Sequence, residues 1–556
     1  MEFSELIKTA TVESVLLSCA GQPAVKGTLC ITSHHLLLSS CPGGDGQPSA
    51  VELWLLIRNV DAVEKSPSYP DHAALPRLAG SSGTITLRCK DLKVLQLEIP
   101  GMEECLNIAS SIEALSSVDS VMMMYPFFHR PQSLRLEEGW PLLPVEQYFQ
   151  QLALQVGGGA LSHPTRKGRE GVTGLLLYSW LGRGGGSSPL PPSRLPQTTQ
   201  WRLSDVNRDF AVCPTYPPAV IVPAAVSEET LRRAARFRQG GRFPVLSYYH
   251  SRNGTVMLRS GQPLTGPNRK RCAEDEMLLG SVLDDGERGF IIDTRSAQAA
   301  KQARMTGGGT EPKSSYPQWK RLHRPLERGR PLQESFIKLV EACNDASLGM
   351  DRWLGRLESC RWLSHVKAAL STACLAAQCL DREESSVLVH GAEGTDTTLL
   401  VTALAQLILE PGCRTLKGFQ GLLEREWIQA GHPFHLRCAH SAYSHARLKQ
   451  EAPLFLLFLD CVWQLSRQFP FSLEFSEGLL LTLFDNAYAS DYGTFLCNNE
   501  KERQVAGTRG QHTHSLWAWL DQPEERKKYL NPLYSPNPLV IWPSVEPQSI
   551  QLWQGM

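Results

Sequence analysis

Apolar residues in the first part of the chain follow a strand pattern. Gly27 to Ser40 (GTLCITSHHLLLSS) and Val51 to Ile57 are apolar runs. Ile85, Leu87 and Cys89 alternate with polar neighbours, and beyond Lys90-Asp91 so do Leu95, Leu97 and Ile99. A period of two on both sides of a polar turn predicts a hairpin with one buried face. Met102, Cys105, Leu106, Ala109 and Ile112 then recur at helical spacing. Strands followed by one amphipathic helix predict a small β-barrel or sandwich capped by that helix, over 1–118, with 119–155 leading into the next domain.

From Trp201 the pattern changes. Ala219–Pro223, Phe243–Tyr249, Gly289–Asp293 (GFIID) and Ser385–Val389 (SSVLV) read as buried strands. Helical stretches at Glu228–Phe237, Leu332–Asn344, Trp362–Leu380, Thr398–Leu409, Phe419–Gln429 and Pro453–Phe469 lie between and after them. Strands interleaved with helices predict an α/β domain with a mostly parallel sheet over 201–542. The chain is thus expected to be α+β and multidomain. The segment 156–200 is rich in Gly, Ser and Pro, with Gly157–Gly159, Gly184–Gly186 and SSPLPPSRLPQTTQ. Such sequence buries too little to fold, so a disordered insertion is expected there, and its deletion is expected to leave stability nearly unchanged. Residues 543–556 read as a tail.

Composition narrows the function. Fifty-six Lys+Arg balance fifty-six Asp+Glu, which argues against binding driven by broad neutralisation of nucleic-acid phosphates. The start MEFSELIK lacks the basic and apolar regions of a signal peptide. The longest apolar stretch, Pro453 to Leu465, carries Asp460 in its middle and is too short to span a bilayer. Fifteen cysteines include no Cys-x-x-Cys pair, which points to reduced thiols in the cytoplasm rather than a zinc ribbon or a redox motif. No cofactor and no metal are expected.

The most informative segment is Val387 to Leu400, VLVHGAEGTDTTLL. A short strand ends at His390, a loop with Gly391 and Gly394 follows, and a helix begins near Thr397 with Thr395 or Asp396 as N-cap. That geometry cradles anions on free N–H groups and the helix dipole. No Gly-Lys-Ser/Thr follows, so it is not a P-loop.

This loop resembles the signature loop of the myotubularin family of phosphoinositide 3-phosphatases, whose active members read His-Cys-Ser-Asp-Gly-Trp-Asp-Arg-Thr. Here it reads His390, Gly391, Ala392, Glu393, Gly394, Thr395, Asp396, Thr397, Thr398. The likeness extends through RFPVLSYYH (Arg242–His250), SGQPLTG (Ser260–Gly266), Gly307–Gly309, GFQGLLEREWIQAGHPF (Gly418–Phe434), PLFLLFLDCVWQLSRQFP (Pro453–Pro470) and YGTFLCNN (Tyr492–Asn499). It implies that the N-terminal segment is a PH-GRAM domain and the rest a cysteine-phosphatase-like α/β domain. At the nucleophile's position stands Gly391, and at the position of the phosphoryl-binding arginine stands Thr397. A thiolate and a guanidinium clamp act as one unit in such enzymes. The resemblance therefore implies a pseudophosphatase with no catalytic residue. Arg437 matches an arginine that contributes to substrate binding in the family, with Pro433 in place of its basic neighbour. Asp396 is expected to cap the helix, and His390 to be structural. Cys374, Cys379, Cys413 and Cys438 read as core thiols.

Inactive family members associate with active ones through a coiled coil beyond the phosphatase domain and raise their activity towards phosphatidylinositol 3-phosphate and 3,5-bisphosphate, or their lipid affinity. The resemblance thus implies active myotubularin-related phosphatases as partners, while the tail shows no heptads, so a shortened, monomeric form that pairs weakly is expected. The alternative is a stand-alone phosphoinositide-binding module. Arg88, Lys90 and Lys93 around the hairpin turn are candidate contacts for anionic headgroups. A cytoplasmic location, peripheral on endomembranes, follows from either reading.

Overall fold

A computed structural model describes residues 3–40, 50–67, 82–117, 120–140, 144–157, 200–345, 347–438 and 450–556. The 156–200 segment lies almost wholly outside the described residues. Near the N-terminus, β1 (Thr11–Cys19), β2 (Val25–Ile31), β3 (His35–Ser40), β4 (Ala50–Leu56), β5 (Val60–Pro67), β6 (Ser82–Cys89) and β7 (Val94–Pro100) pair antiparallel in the order β4-β3-β2-β1-β7-β6-β5. The apolar run from Gly27 to Ser40 breaks at the Thr32 turn into β2 and β3, where Thr32 Oγ1 accepts the amides of His34 and His35. Leu87 and Leu95 face each other across the expected hairpin. Helix α1 (Met102–Ser116) covers the sheet with Cys105, Ile108, Ala109, Ile112 and Leu115. Leu106, expected on the buried face, is instead half exposed. Ile108 lies between Cys105 and Ile112 on the 3.6-residue stripe, and Leu106 sits off it.

After α2 (Pro144–Gly157), β8 (Trp201–Ser204) and β9 (Val220–Pro223) form a separate antiparallel ribbon. The Ala219–Pro223 run therefore does not join the main sheet. That sheet holds β10 (Val245–Tyr249), β11 (Val256–Ser260), β12 (Gly289–Asp293), β13 (Trp319–His323) and β14 (Val387–His390) in the order β10-β11-β14-β12-β13. Only the β10/β11 pair is antiparallel. Helices α3 (Glu228–Arg236), α4 (Ala273–Gly280), α5 (Ala297–Met305), α6 (Arg330–Asn344), α7 (Met350–Cys360), α8 (Trp362–Asp381) and α9 (Thr397–Leu409) follow or connect the strands. The expected Phe419–Gln429 helix is α10 (Leu416–Leu423) continued by a π turn at Glu424–Ile428. Then come α11 (Phe434–Cys438) and α12 (Leu454–Gln468).

The site is positioned by what is buried around β14. All four of its residues are buried, as expected of a central parallel strand covered on both faces. Every residue of α9 is buried too, and the polar stripe on it is partnered, with Thr402 Oγ1 donating to Glu426 at 3.1 Å and Gln406 Nε2 to Ser247 at 3.2 Å. The polar exception in α12 is satisfied: Trp362 Nε1 donates to Asp460 Oδ2 at 2.8 Å and Gln464 Nε2 to Oδ1 at 3.0 Å. Residues 543–556 pack as part of this core. Trp553 stacks on Trp463 at 5.9 Å, and its Nε1 donates to Glu477. No helix among the described residues is long and apolar enough to cross a membrane.

Candidate functional site

The loop 391–396 leaves the C-terminal end of β14, where ligands of open α/β sheets characteristically bind. At Gly394 φ is +77°, and a Cβ there would come within 2.3 Å of the Ser260 carbonyl oxygen. The loop can cross β11 so closely only with glycine at that point. It is pinned from below as well: Arg242 Nη2 donates to the Gly394 and Ala430 carbonyls at 2.9 and 2.8 Å, and the Gln262 amide to Ala392 O at 2.9 Å.

His390 is fully buried. Its Nε2 lies 2.9 Å from Glu311 Oε1, and its Nδ1 3.2 Å from the Gly391 carbonyl. Glu311 also accepts from Arg238 at 2.8 Å, and Arg238 forks onto Asp275 at 2.8 and 2.7 Å. Although burial opposes its ionisation, the His390 and Arg238 contacts hold the Glu311 carboxyl well below the usual range. The histidine therefore supports the loop from within a charge network, the structural role expected of it.

Gly391 is ringed by hydroxyls. A Cβ on Gly391 would lie 2.7 Å from Thr294 Oγ1, 3.5 Å from Thr397 Oγ1 and 3.7 Å from Thr398 Oγ1. Thr294 and Thr397 bond each other at 2.8 Å, and all three threonines are buried. Neutral hydroxyls offer neither a nucleophile of low pKa nor a cation for phosphoryl transfer.

The charges at the loop neutralise one another. Asp396, expected to cap α9, occupies the N-cap position with φ +51° but makes no side-chain cap bond. Its carboxylate instead accepts a fork from Arg437, at 3.0 Å from Nε and 2.8 Å from Nη2. Burial pushes the Asp396 carboxyl up, but Arg437 first, then His432 and Arg328, hold it below its ordinary value. Glu393 pairs with Arg328, which also stands 3.9 Å from Asp396. Cations from outside the loop thus offset both acids. Sequence reading found Arg437 but missed Arg328, Arg242, Glu311 and Arg238. Each lies far along the chain, Arg242 at the start of RFPVLSYYH and the others outside the quoted motifs, and only the fold brings it to the loop. Thr395 contributes its carbonyl, which accepts the Thr398 amide.

Burial pushes the Cys374 and Cys379 thiols up to about 11 and those of Cys413 and Cys438 up to about 12. Cys374, expected in the core, is only partly buried. Among the described residues no group of three or more His, Cys, Asp or Glu could hold a metal ion. The three N-terminal cations are engaged within the chain. Arg88 pairs with Glu64 at 2.7 Å, Lys90 donates to the Arg58 carbonyl at 2.6 Å, and Lys93 reaches Asp485 at 3.0 Å.

Residues 124–504 match the myotubularin-like phosphatase domain. The whole chain is 60% identical to a myotubularin-related protein 9-like protein of Bos taurus, covering 92% of it. It is 54% identical to myotubularin-related protein 9 of Homo sapiens, covering 90% of that protein. Over 99% of its length it is 31% identical to a phosphatidylinositol-3,5-bisphosphate 3-phosphatase of Gallus gallus, covering 79% of it.

Proposed function

Because the chain belongs to the myotubularin family, we propose that it is a pseudophosphatase that regulates active phosphoinositide 3-phosphatases of that family. The observation that carries this reading is the hydroxyl-ringed Gly391 with Thr397 beside it, in a loop held by Arg242 and the Gln262 amide. A degenerate catalytic pair in a well-held loop fits a protein retained for its surfaces. The N-terminal seven-stranded unit is then the family's PH-GRAM domain. The protein works in the cytoplasm and reaches endomembranes with its partner, raising the partner's turnover or its affinity for lipid.

A stand-alone lipid-binding role finds less support, since Arg437 is forked onto Asp396 and Arg88, Lys90 and Lys93 already have partners. Co-sedimentation tests the proposal. The purified chain is titrated against an active myotubularin-related phosphatase, with and without vesicles carrying phosphatidylinositol 3-phosphate. A saturable complex is expected. Binding to vesicles with no binding to any active relative would favour the lipid module instead.

A further inference from the structure

We propose that the junction between the N-terminal sheet and the phosphatase-like domain is a latch that mild acid opens, worked by a seam of histidines. His34 ends the turn before β3 and His35 opens that strand, and the segment after α1 lies across them. The His35 and Tyr125 rings meet edge-on at 4.4 Å, and His34 lies 5.3 Å from Tyr125 and 4.7 Å from Phe128. Tyr125 continues to His129 at 5.4 Å, with Tyr125 Oη 3.3 Å from His129 Nδ1. His129 in turn meets Tyr492 at 5.3 Å and His514 at 6.4 Å, both in the phosphatase-like domain. The seam therefore runs unbroken from sheet to linker to the second domain.

Its chemistry is unusual for an interface that only has to hold. His35 Nε2, His129 Nε2 and His514 Nδ1 are buried with no hydrogen-bond partner among the described residues. A proton added to any of these nitrogens gains no acceptor and puts a charge into a poorly solvated site. The charged neighbours do not help. His35 faces His34 and His129, and His129 faces His514 and Arg130; each of these lowers the proton affinity. Only at His514 is there a counterweight: after burial, which lowers its proton affinity most, the backbone bond at Arg135 raises it, Arg130 lowers it and Glu138 raises it. Asp491 acts on Tyr125 and Tyr492, and burial pushes its own carboxyl up. Burial chiefly, then the neighbouring histidines, lowers His35 to about 4. His129 and His514 shift in the same direction, again chiefly through burial.

The sign follows from linkage. A histidine whose pKa is lowered in the closed state takes up its proton more readily once the seam opens. The closed state is fully favoured above the ordinary histidine value and loses ground as pH falls below it. If opening restores His35 to an ordinary 6.5, the opening constant rises roughly 25-fold between pH 7.5 and pH 5 from that residue alone. His129 and His514 add to it.

The test uses the full chain. Cleavage within 120–130 by a protease active at both pH values is measured at pH 7.5 and pH 5, normalised to a peptide of the same sequence. Wild type is compared with His35→Phe/His129→Phe, which keeps the rings and removes the protons. Wild type is expected to be cut at least about tenfold faster at pH 5, and the double variant less than about twofold faster. Equal acceleration in both overturns the proposal, as does none in wild type. Should the double variant not fold at pH 7.5, His129→Phe alone is used, with small-angle scattering of wild type at both pH values. An unchanged radius of gyration in wild type then refutes the latch.

Discussion

At Gly391 a single missing side chain decides both chemistry and packing. Its place is closed by Thr294, whose hydroxyl is held by Thr397. Gly391→Ala is therefore expected to destabilise by about 1–3 kcal/mol through overpacking. Adding Thr294→Ala should remove most of that penalty, so urea unfolding of the four proteins in the cycle should give a clear coupling energy. Asp396 makes the opposite kind of contribution, since it holds Arg437 in a buried fork. Its pKa is lowered in the folded state, so its stabilisation is complete above the ordinary carboxylate value and lost as pH falls through the folded value. Asp396→Asn should cost about 3 kcal/mol at pH 7. That gap should narrow as pH falls from the ordinary carboxylate value and close below the lower folded value, where the wild-type carboxylate is protonated as well. Denaturation at several pH values checks both statements. Thr397 and Gly391 stood out in the sequence because they occupy fixed places in a motif. The Arg437–Asp396 fork did not, because nothing in the sequence reports which of two roles a buried aspartate takes.

Elements follow the same division. α9 and α12 were legible from their apolar runs, and β14 from SSVLV, because a central strand and its covering helices must be apolar on every side. β8 and β13 escaped notice: each is short, and WKRLH in β13 carries three basic side chains on an edge strand. The turn that separates β2 from β3 was hidden by apolar residues on both sides. Asp460 in α12 is the buried polar group with the clearest pH consequence. Burial pushes its carboxyl up to about 6, against hydrogen bonds from Trp362 and Gln464. A raised carboxyl pKa in the folded state means that ionisation costs stability as pH climbs past the ordinary value. The stability of Asp460→Asn relative to wild type should therefore rise between pH 4 and pH 8, by up to about 3 kcal/mol. Paired calorimetric melts measure that difference directly, and a flat difference would show that the aspartate is already neutral or well solvated.

The turn between β6 and β7 reaches from the N-terminal sheet into the phosphatase-like domain. Leu92, in the β6–β7 turn, has φ +70°, is buried, and belongs to the core of the phosphatase-like domain. A leucine in the left-handed region costs roughly 1–2 kcal/mol, which its burial there offsets. Beside it Lys93 bonds Asp485, both half exposed. Leu92→Ala should destabilise by about 2–4 kcal/mol, whereas Lys93→Ala should cost under about 1 kcal/mol, since exposed ion pairs contribute little. Chemical denaturation separates the two. The sequence placed Lys93 at a hairpin turn but could not reveal a partner 392 positions away. On this scale the proposed role is regulation without catalysis, and phosphate release is the measurement that decides it. The purified chain, an active myotubularin-related phosphatase, and their mixture are each given phosphatidylinositol 3-phosphate and phosphatidylinositol 3,5-bisphosphate. The account predicts no release above blank from the chain alone and more from the mixture than from the active enzyme. Release by the chain alone, or a mixture no faster than the enzyme by itself, would contradict it.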